Sequence, residues 1–251
     1  MPEIISKTNL KPTIASVQSG SRCARLSPFD RRSLTFLTAC IALLCCLPSH
    51  AAEPATVSFS LDFPGSDPEH YSISVQSDGS ASYECSAPTS PDSDDRENYQ
   101  RDFSLSDGTR TRIFELAAQA KYFSGKVDSG KQKLANTGAK KLSYKDGQRD
   151  FTAAYNYSPL SAVQQLTALF QSISATLEFG RRLDHLHRYQ KLALDDELKR
   201  MEEQARHGDL AELQAVKPIL QEIYADSSVI NVVRARAQRI IEMAPAAAAG
   251  R

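Results

Sequence analysis

The sequence predicts an α+β fold. A small antiparallel sheet is built from Asp-Gly hairpins and carries helices on one face; a long helix and a C-terminal helical segment follow. Three observations carry this reading. Apolar residues alternate singly in short runs between residues 56 and 155, the period of a half-buried strand. Two pairs of such runs are joined at Asp78-Gly79 and at Asp146-Gly147, a hairpin signal. From Pro159 onward apolar residues recur at helical spacing almost to the end of the chain. Strands in one stretch and helices in the next give an α+β arrangement rather than an alternating one.

The elements follow in order. In Thr56 to Phe63, Val57, Phe59, Leu61 and Phe63 alternate with Ser58, Ser60 and Asp62. Tyr71, Ile73 and Val75 alternate before Asp78-Gly79, and Ala81, Tyr83 and Cys85 after it. Gly accepts the positive φ of a tight turn, which makes this a hairpin. Residues 86–98 carry two prolines and an acidic cluster with no apolar period, and are expected to form a plain loop; the spaced ligands and central Gly of a calcium loop are missing. Ser106 caps a helix whose first turn holds Asp107 and whose buried side is Ile113, Leu116, Ala117 and Ala120. Gly125 to Gly138 is a polar loop. Leu142 and Tyr144, then Phe151, Ala153 and Tyr155, flank Asp146-Gly147 as a second hairpin.

Ser158-Pro159 starts the long helix, with Ser as cap and Pro in the first turn. Its first half has Leu160, Val163, Leu166, Phe170, Ile173 and Leu177 in one stripe. Its second half is laced by acidic residues four places before basic ones, as in Glu178–Arg182, Asp184–Arg188 and Glu202–Arg206, and keeps Leu194, Leu198 and Met201 for one side. The helix is expected to run unbroken from Pro159 to about Arg206, through Gly180. Asp209 and Glu212 form a capping pair for the next helix, Pro218 interrupts it, and a last helix begins after Asp226.

The 251 residues carry 30 basic and 30 acidic side chains, a net charge of +0. The balance hides a split. Residues 1–51 hold six basic against two acidic residues and four of the five cysteines. Arg31-Arg32 is followed by the uncharged run Ser33 to Pro48, and then by Ser49 and Ala51 in the small-residue positions before a cleavage point. That order is a secretory signal peptide cut after Ala51, so residues 1–51 are read as an N-terminal extension and signal peptide. The apolar run is shorter than the ~20 residues a membrane-spanning helix needs. An uncleaved N-terminal anchor is the alternative. The mature chain divides into a β-rich α+β region, residues 52–157, a helical region, residues 158–244, and a tail, residues 245–251. Cys85 is its one cysteine and is expected to be a buried free thiol.

Chemistry-bearing motifs are scarce. No Gly-rich phosphate loop, nucleophile elbow or zinc-protease motif is present, and no catalytic, cofactor or metal residue is assigned. Asp184 and His187 share a helix face and form an acid–base pair only if the helix surface there is more than solvated charge. Arg234, Arg236 and Arg239 do not point to nucleic acid in a mature chain with more acidic than basic residues. Two surfaces are candidates for binding. One is aromatic, Tyr71, Tyr83, Tyr155 and Tyr157, unless these rings cover the sheet beneath the helices. The other is the apolar side of the long helix, Leu194, Leu198 and Met201, which needs a cover, supplied by the helices after Asp209 folding back or by a second chain.

The succession of an Asp-Gly hairpin ending in Ala81-Ser82-Tyr83, a capped helix, Tyr122-Phe123, a second Asp-Gly hairpin and Tyr155-Asn156-Tyr157-Ser158-Pro159 resembles exported bacterial proteins of unknown function. The resemblance spans about Tyr71 to Met243 and implies no activity. The reading is therefore a periplasmic or secreted, non-enzymatic binding or protein-interaction module. It uses no cofactor, has an unknown protein partner or self-association, and touches a membrane only through an uncleaved signal segment. The alternative is a secreted hydrolase with its site on a loop such as Gly125–Gly138.

Overall fold

The computed structural model describes residues 53–88, 96–130 and 135–244. The stretch read as a signal peptide, the tail and the centre of the acidic loop lie outside them. Six strands form one sheet: β1 (Thr56–Asp62), β2 (His70–Gln76), β3 (Ser80–Pro88), β4 (Arg96–Ser104), β5 (Ala139–Lys145) and β6 (Asp150–Tyr155). Their order is β4-β3-β2-β1-β5-β6, with every neighbouring pair antiparallel. The first strand thus lies inside the sheet, with one predicted hairpin on each side of it. Among the described residues there are five α-helices: α1 (Asp107–Gln119) between β4 and β5, and after β6 α2 (Ser161–Tyr189), α3 (Leu194–His207), α4 (Lys217–Ala225) and α5 (Asn231–Met243).

Alternation fixes which face is covered. Val57, Phe59, Tyr71, Ile73, Val75, Tyr83 and Leu142 are buried and share one core with Ile113, Leu116, Val163, Leu166 and Phe170 of α1 and α2. Phe59 of β1 and Phe170 of α2 stack with ring centroids 5.4 Å apart. Ser106 caps α1 as expected, accepting from the Thr109 amide. At the β2–β3 turn Gly79 takes φ +95, the left-handed backbone that favours glycine. The β5–β6 turn runs over four residues, closed by the Asp146 amide on the Arg149 carbonyl and by Asp146 Oδ1 accepting from Gln148 and Arg149.

Several expectations are corrected. The acidic loop is shorter than residues 86–98, because β3 runs to Pro88 and a further strand, β4, begins at Arg96. Its alternation is broken on the inner side by Arg101, whose Nη2 reaches across to the Ala215 carbonyl at 2.7 Å. The helix after Ser158-Pro159 starts at Ser161, and Ser158 Oγ instead accepts from the Leu160 amide. The long helix does not run to Arg206. It ends at Tyr189, where Gln190 turns to φ −142 and ψ 57, and α3 returns beside it, tied by Arg182 Nε to Glu197 at 2.7 Å. Gly180 does not break it. A Cβ there would sit 2.5 Å from Val216 Cγ1, so the glycine marks a close approach of the chain. Glu212 caps nothing after it. Its two carboxylate oxygens accept from the amide and hydroxyl of Ser106, at the start of α1.

Three consecutive non-glycine residues, Lys121, Tyr122 and Phe123, take φ +52, +54 and +66 at the end of α1. Such backbone costs roughly 1–2 kcal/mol per residue. The turn places Phe123 in the core and lays Tyr122 against Tyr144, centroids 4.5 Å apart, beneath the Arg149 guanidinium at 3.9 Å.

Candidate functional site

Three places bring distinctive side chains together. The first is Glu178, on α2 against the covered sheet face, its side chain 4% exposed. Tyr83 donates to Oε1 at 2.7 Å and the Cys85 thiol donates to the same oxygen at 3.3 Å. Arg181 donates to Oε2 from Nε and Nη2 at 2.9 and 2.8 Å. Burial, and then the Glu178 charge, push the Cys85 thiol up to about 12 and raise Tyr83 above the usual phenol range. Thiolate is the reactive form of cysteine, so this thiol is held inert near neutral pH. Cys85 is the buried free thiol that the alternation implied.

The second is a cleft of about 180 Å³ beyond the end of β6, lined by Thr137, Lys140, Tyr155, Tyr157, Gln164 and Gln171 among others. Lys140 is 6% exposed, and its ammonium meets four oxygens: Thr137 Oγ1 at 2.7 Å, and the carbonyls of Thr137, Asn156 and Gly138 at 2.9, 3.1 and 3.3 Å. Three N–H donors against four fixed acceptors leave no donor over. Burial lowers the Lys140 pKa. Tyr155 shares a 2.6 Å hydrogen bond with Thr167, and burial pushes its phenol up to about 12. These groups tie the loop before β5 to the end of β6; they hold rather than react.

The third is a corner of the helical region. Lys191 donates to Asp226 at 2.7 Å and to Ser228 at 2.6 Å, and His187 meets Asp226 at 2.9 Å. The hydrogen bonds from Lys191 and Ser228, above all, hold the Asp226 carboxyl well below the usual range. These bonds pin the end of α2 to the α4–α5 turn. Around the pins stand Leu192 at 93% exposure, Tyr189 at 72%, Ile230 at 57%, Val232 at 51% and Tyr224 at 44%. They are five of the eight large apolar side chains exposed among the described residues. All five lie in or next to the two turns that these bonds join.

The structure covers most of both sequence candidates, as the fold-back of the later helices and the burial of the rings beneath the helices require. Leu194, Leu198 and Met201 are fully buried. They cannot form an outer surface, because α5 folds back over α3, with Arg236 and Arg239 reaching Glu202. Tyr71, Tyr83 and Tyr155 are buried between sheet and helices, so they offer no open aromatic face; Tyr157 alone of the four is exposed, at the cleft. Asp184 and His187 part company, the first to Arg188 and the second to Asp226. The corner was missed because Leu192 and Ile230 sit at helix ends, where a stripe has no side to assign. Among the described residues no group of His, Cys, Asp and Glu could hold a metal ion, and no helix is long and apolar enough to cross a membrane. No protein-family model matches the chain, and a search of curated proteins finds no relative.

Proposed function

We propose that the protein is an exported, non-enzymatic interaction module that binds another protein through the corner formed by Tyr189, Leu192, Tyr224, Ile230 and Val232. The observation that carries this is the 93% exposure of Leu192, two residues from Leu194, which is fully buried. A leucine standing clear of its own fold is matched by a partner with an apolar hollow, since burying it against another chain gains roughly 1.5–3 kcal/mol. The two ion-paired turns beneath hold the side chains in place, which limits the entropy lost on binding. Export rests on the signal pattern ending at Ala51. The test places a photocrosslinking residue at Leu192, at Ile230 and, as control, at the exposed turn residue Gln148, in cells exporting the protein. One adduct common to the first two positions and missing from the third is expected. No adduct at Leu192 and Ile230, or the same adduct at all three, contradicts the reading. The intact mass of the exported product, expected to begin at Ala52, tests the export half.

A further inference from the structure

On the sheet face away from the helices the side chains fall into rows across the strands, the central serines half-buried and Glu84 and Lys141 exposed. One row is Thr152, Ser143, Ser58, Ser74, Ser82 and Asp102, from β6 to β4. The next is Ala154, Lys141, Ser60, Ser72, Glu84 and Gln100. Beyond it Asp62 lies beside His70. The centre of the face is thus all hydroxyl-bearing and short, with no long side chain to hold a second surface away. Its charge is divided in the second row, with Lys141 on β5 at one flank and Glu84 on β3 at the other; Asp102 stands on β4, and Lys145 on β5 lies beside Asp150 on β6. Among the described residues neither Lys141 nor Glu84 has an ion-pair partner.

We infer that two copies of the chain pair through these faces about a two-fold axis parallel to the strands, passing between β1 and β2. That operation exchanges β1 with β2, β5 with β3 and β6 with β4, and sets each row against itself. Lys141 then faces Glu84 of the second copy, twice over by symmetry. Asp62 faces His70, Ser60 faces Ser72, Ser58 faces Ser74, Ser143 faces Ser82, and Thr152 faces Asp102. Every hydroxyl meets a group that donates or accepts, and no like charges meet in these rows. The alternative two-fold axis, across the strands through the first row, sets Asp102 on Asp102 and Lys141 on Lys145, which like-charge repulsion disfavours. A closed two-fold contact is self-complementary in this way. The face spans roughly 24 by 20 Å from strand spacing and rise. That is the low end of specific interfaces, so the dimer is a weak one that forms with concentration.

The experiment measures solution mass against protein concentration for the wild type, Lys141→Glu, Glu84→Lys and the double exchange, with circular dichroism confirming the fold. Wild type is expected to move from monomer to dimer. Each single reversal weakens the dimer by about tenfold or more, and the double exchange restores it to within about threefold. A Leu192→Asp/Ile230→Asp variant keeps the dimer, which separates this surface from the corner. A wild type that stays monomeric, single reversals without effect, a double exchange no better than the singles, or a dimer lost in the corner variant overturns the inference.

Discussion

The sheet half and the helical half of this protein use their apolar residues differently. In the sheet half the alternating residues of β1, β2 and β3 are nearly all consumed, sealed against α1 and α2. The helical half buries an apolar stripe as well, but it is stitched by glutamates that lie inside the fold. Glu178, Glu197, Glu202 and Glu212 are all buried. Glu197 receives Arg182 from α2 and Arg200 from its own helix; Glu202 receives Arg206, Arg236 and Arg239. A carboxylate between helices sets their spacing without consuming apolar surface. Leucine, isoleucine and tyrosine stand exposed at the corner, where the proposed partner would take them.

The comparison predicts unlike responses to mutation. The largest effect is expected from Phe170→Ala, which removes the ring stacked on Phe59 and opens a cavity; it costs about 4 kcal/mol, insensitive to salt and to mild acid. Glu202→Ala strands Arg239, leaves Arg236 only Asp195, and costs about 3 kcal/mol. Its signature is pH. Hydrogen bonds from Arg239 and Arg236 hold the Glu202 carboxyl down to about 2, below the ordinary 4.5. The folded state therefore prefers the ionised form, so this stabilisation is complete above pH 4.5 and fades as pH falls towards 2. Denaturant melts from pH 6 to 3 should show the wild type losing stability more steeply than Glu202→Gln. Equal slopes would show that Glu202 is not a node.

Smaller effects probe the seam between the halves. Gly180→Ala drives a Cβ to 2.5 Å from Val216 Cγ1 and is expected to cost about 2 kcal/mol, with Val216→Ala in the same chain recovering part of it. Additive losses would place the strain elsewhere. Lys121→Gly goes the other way. The side chain is exposed and its φ is +52, so glycine relieves backbone strain and should raise stability by about 1 kcal/mol in a thermal melt.

Local pattern explains what was legible. Strand alternation, the Ser106 cap and the buried Cys85 could all be read from neighbours within a few residues. What failed depends on distant partners. Arg101 hid β4 because an arginine on the inner face makes sense only once the Ala215 carbonyl is beside it. Gly180 looked neutral until Val216 arrived, 36 residues later in the chain. Leu194, Leu198 and Met201 call for a cover, but their own stretch does not say that α5, which comes after an intervening turn, supplies it rather than a second chain. The pairing Glu178 to Arg182 was foreseen, at 3.9 Å, but the closer partners of both residues lie on other elements or other registers.

The central claim is that the fold closes without the corner. It is tested most directly by comparing the unfolding free energy of Leu192→Asp/Ile230→Asp with that of Leu194→Asp, each against wild type. The corner variant is predicted to stay within about 0.5 kcal/mol of wild type, as surface changes do, while Leu194→Asp loses 3 kcal/mol or more, about what burying an unpaired charge costs. A corner variant that is destabilised as severely as Leu194→Asp would mean that Leu192 and Ile230 belong to the core, and would contradict the account.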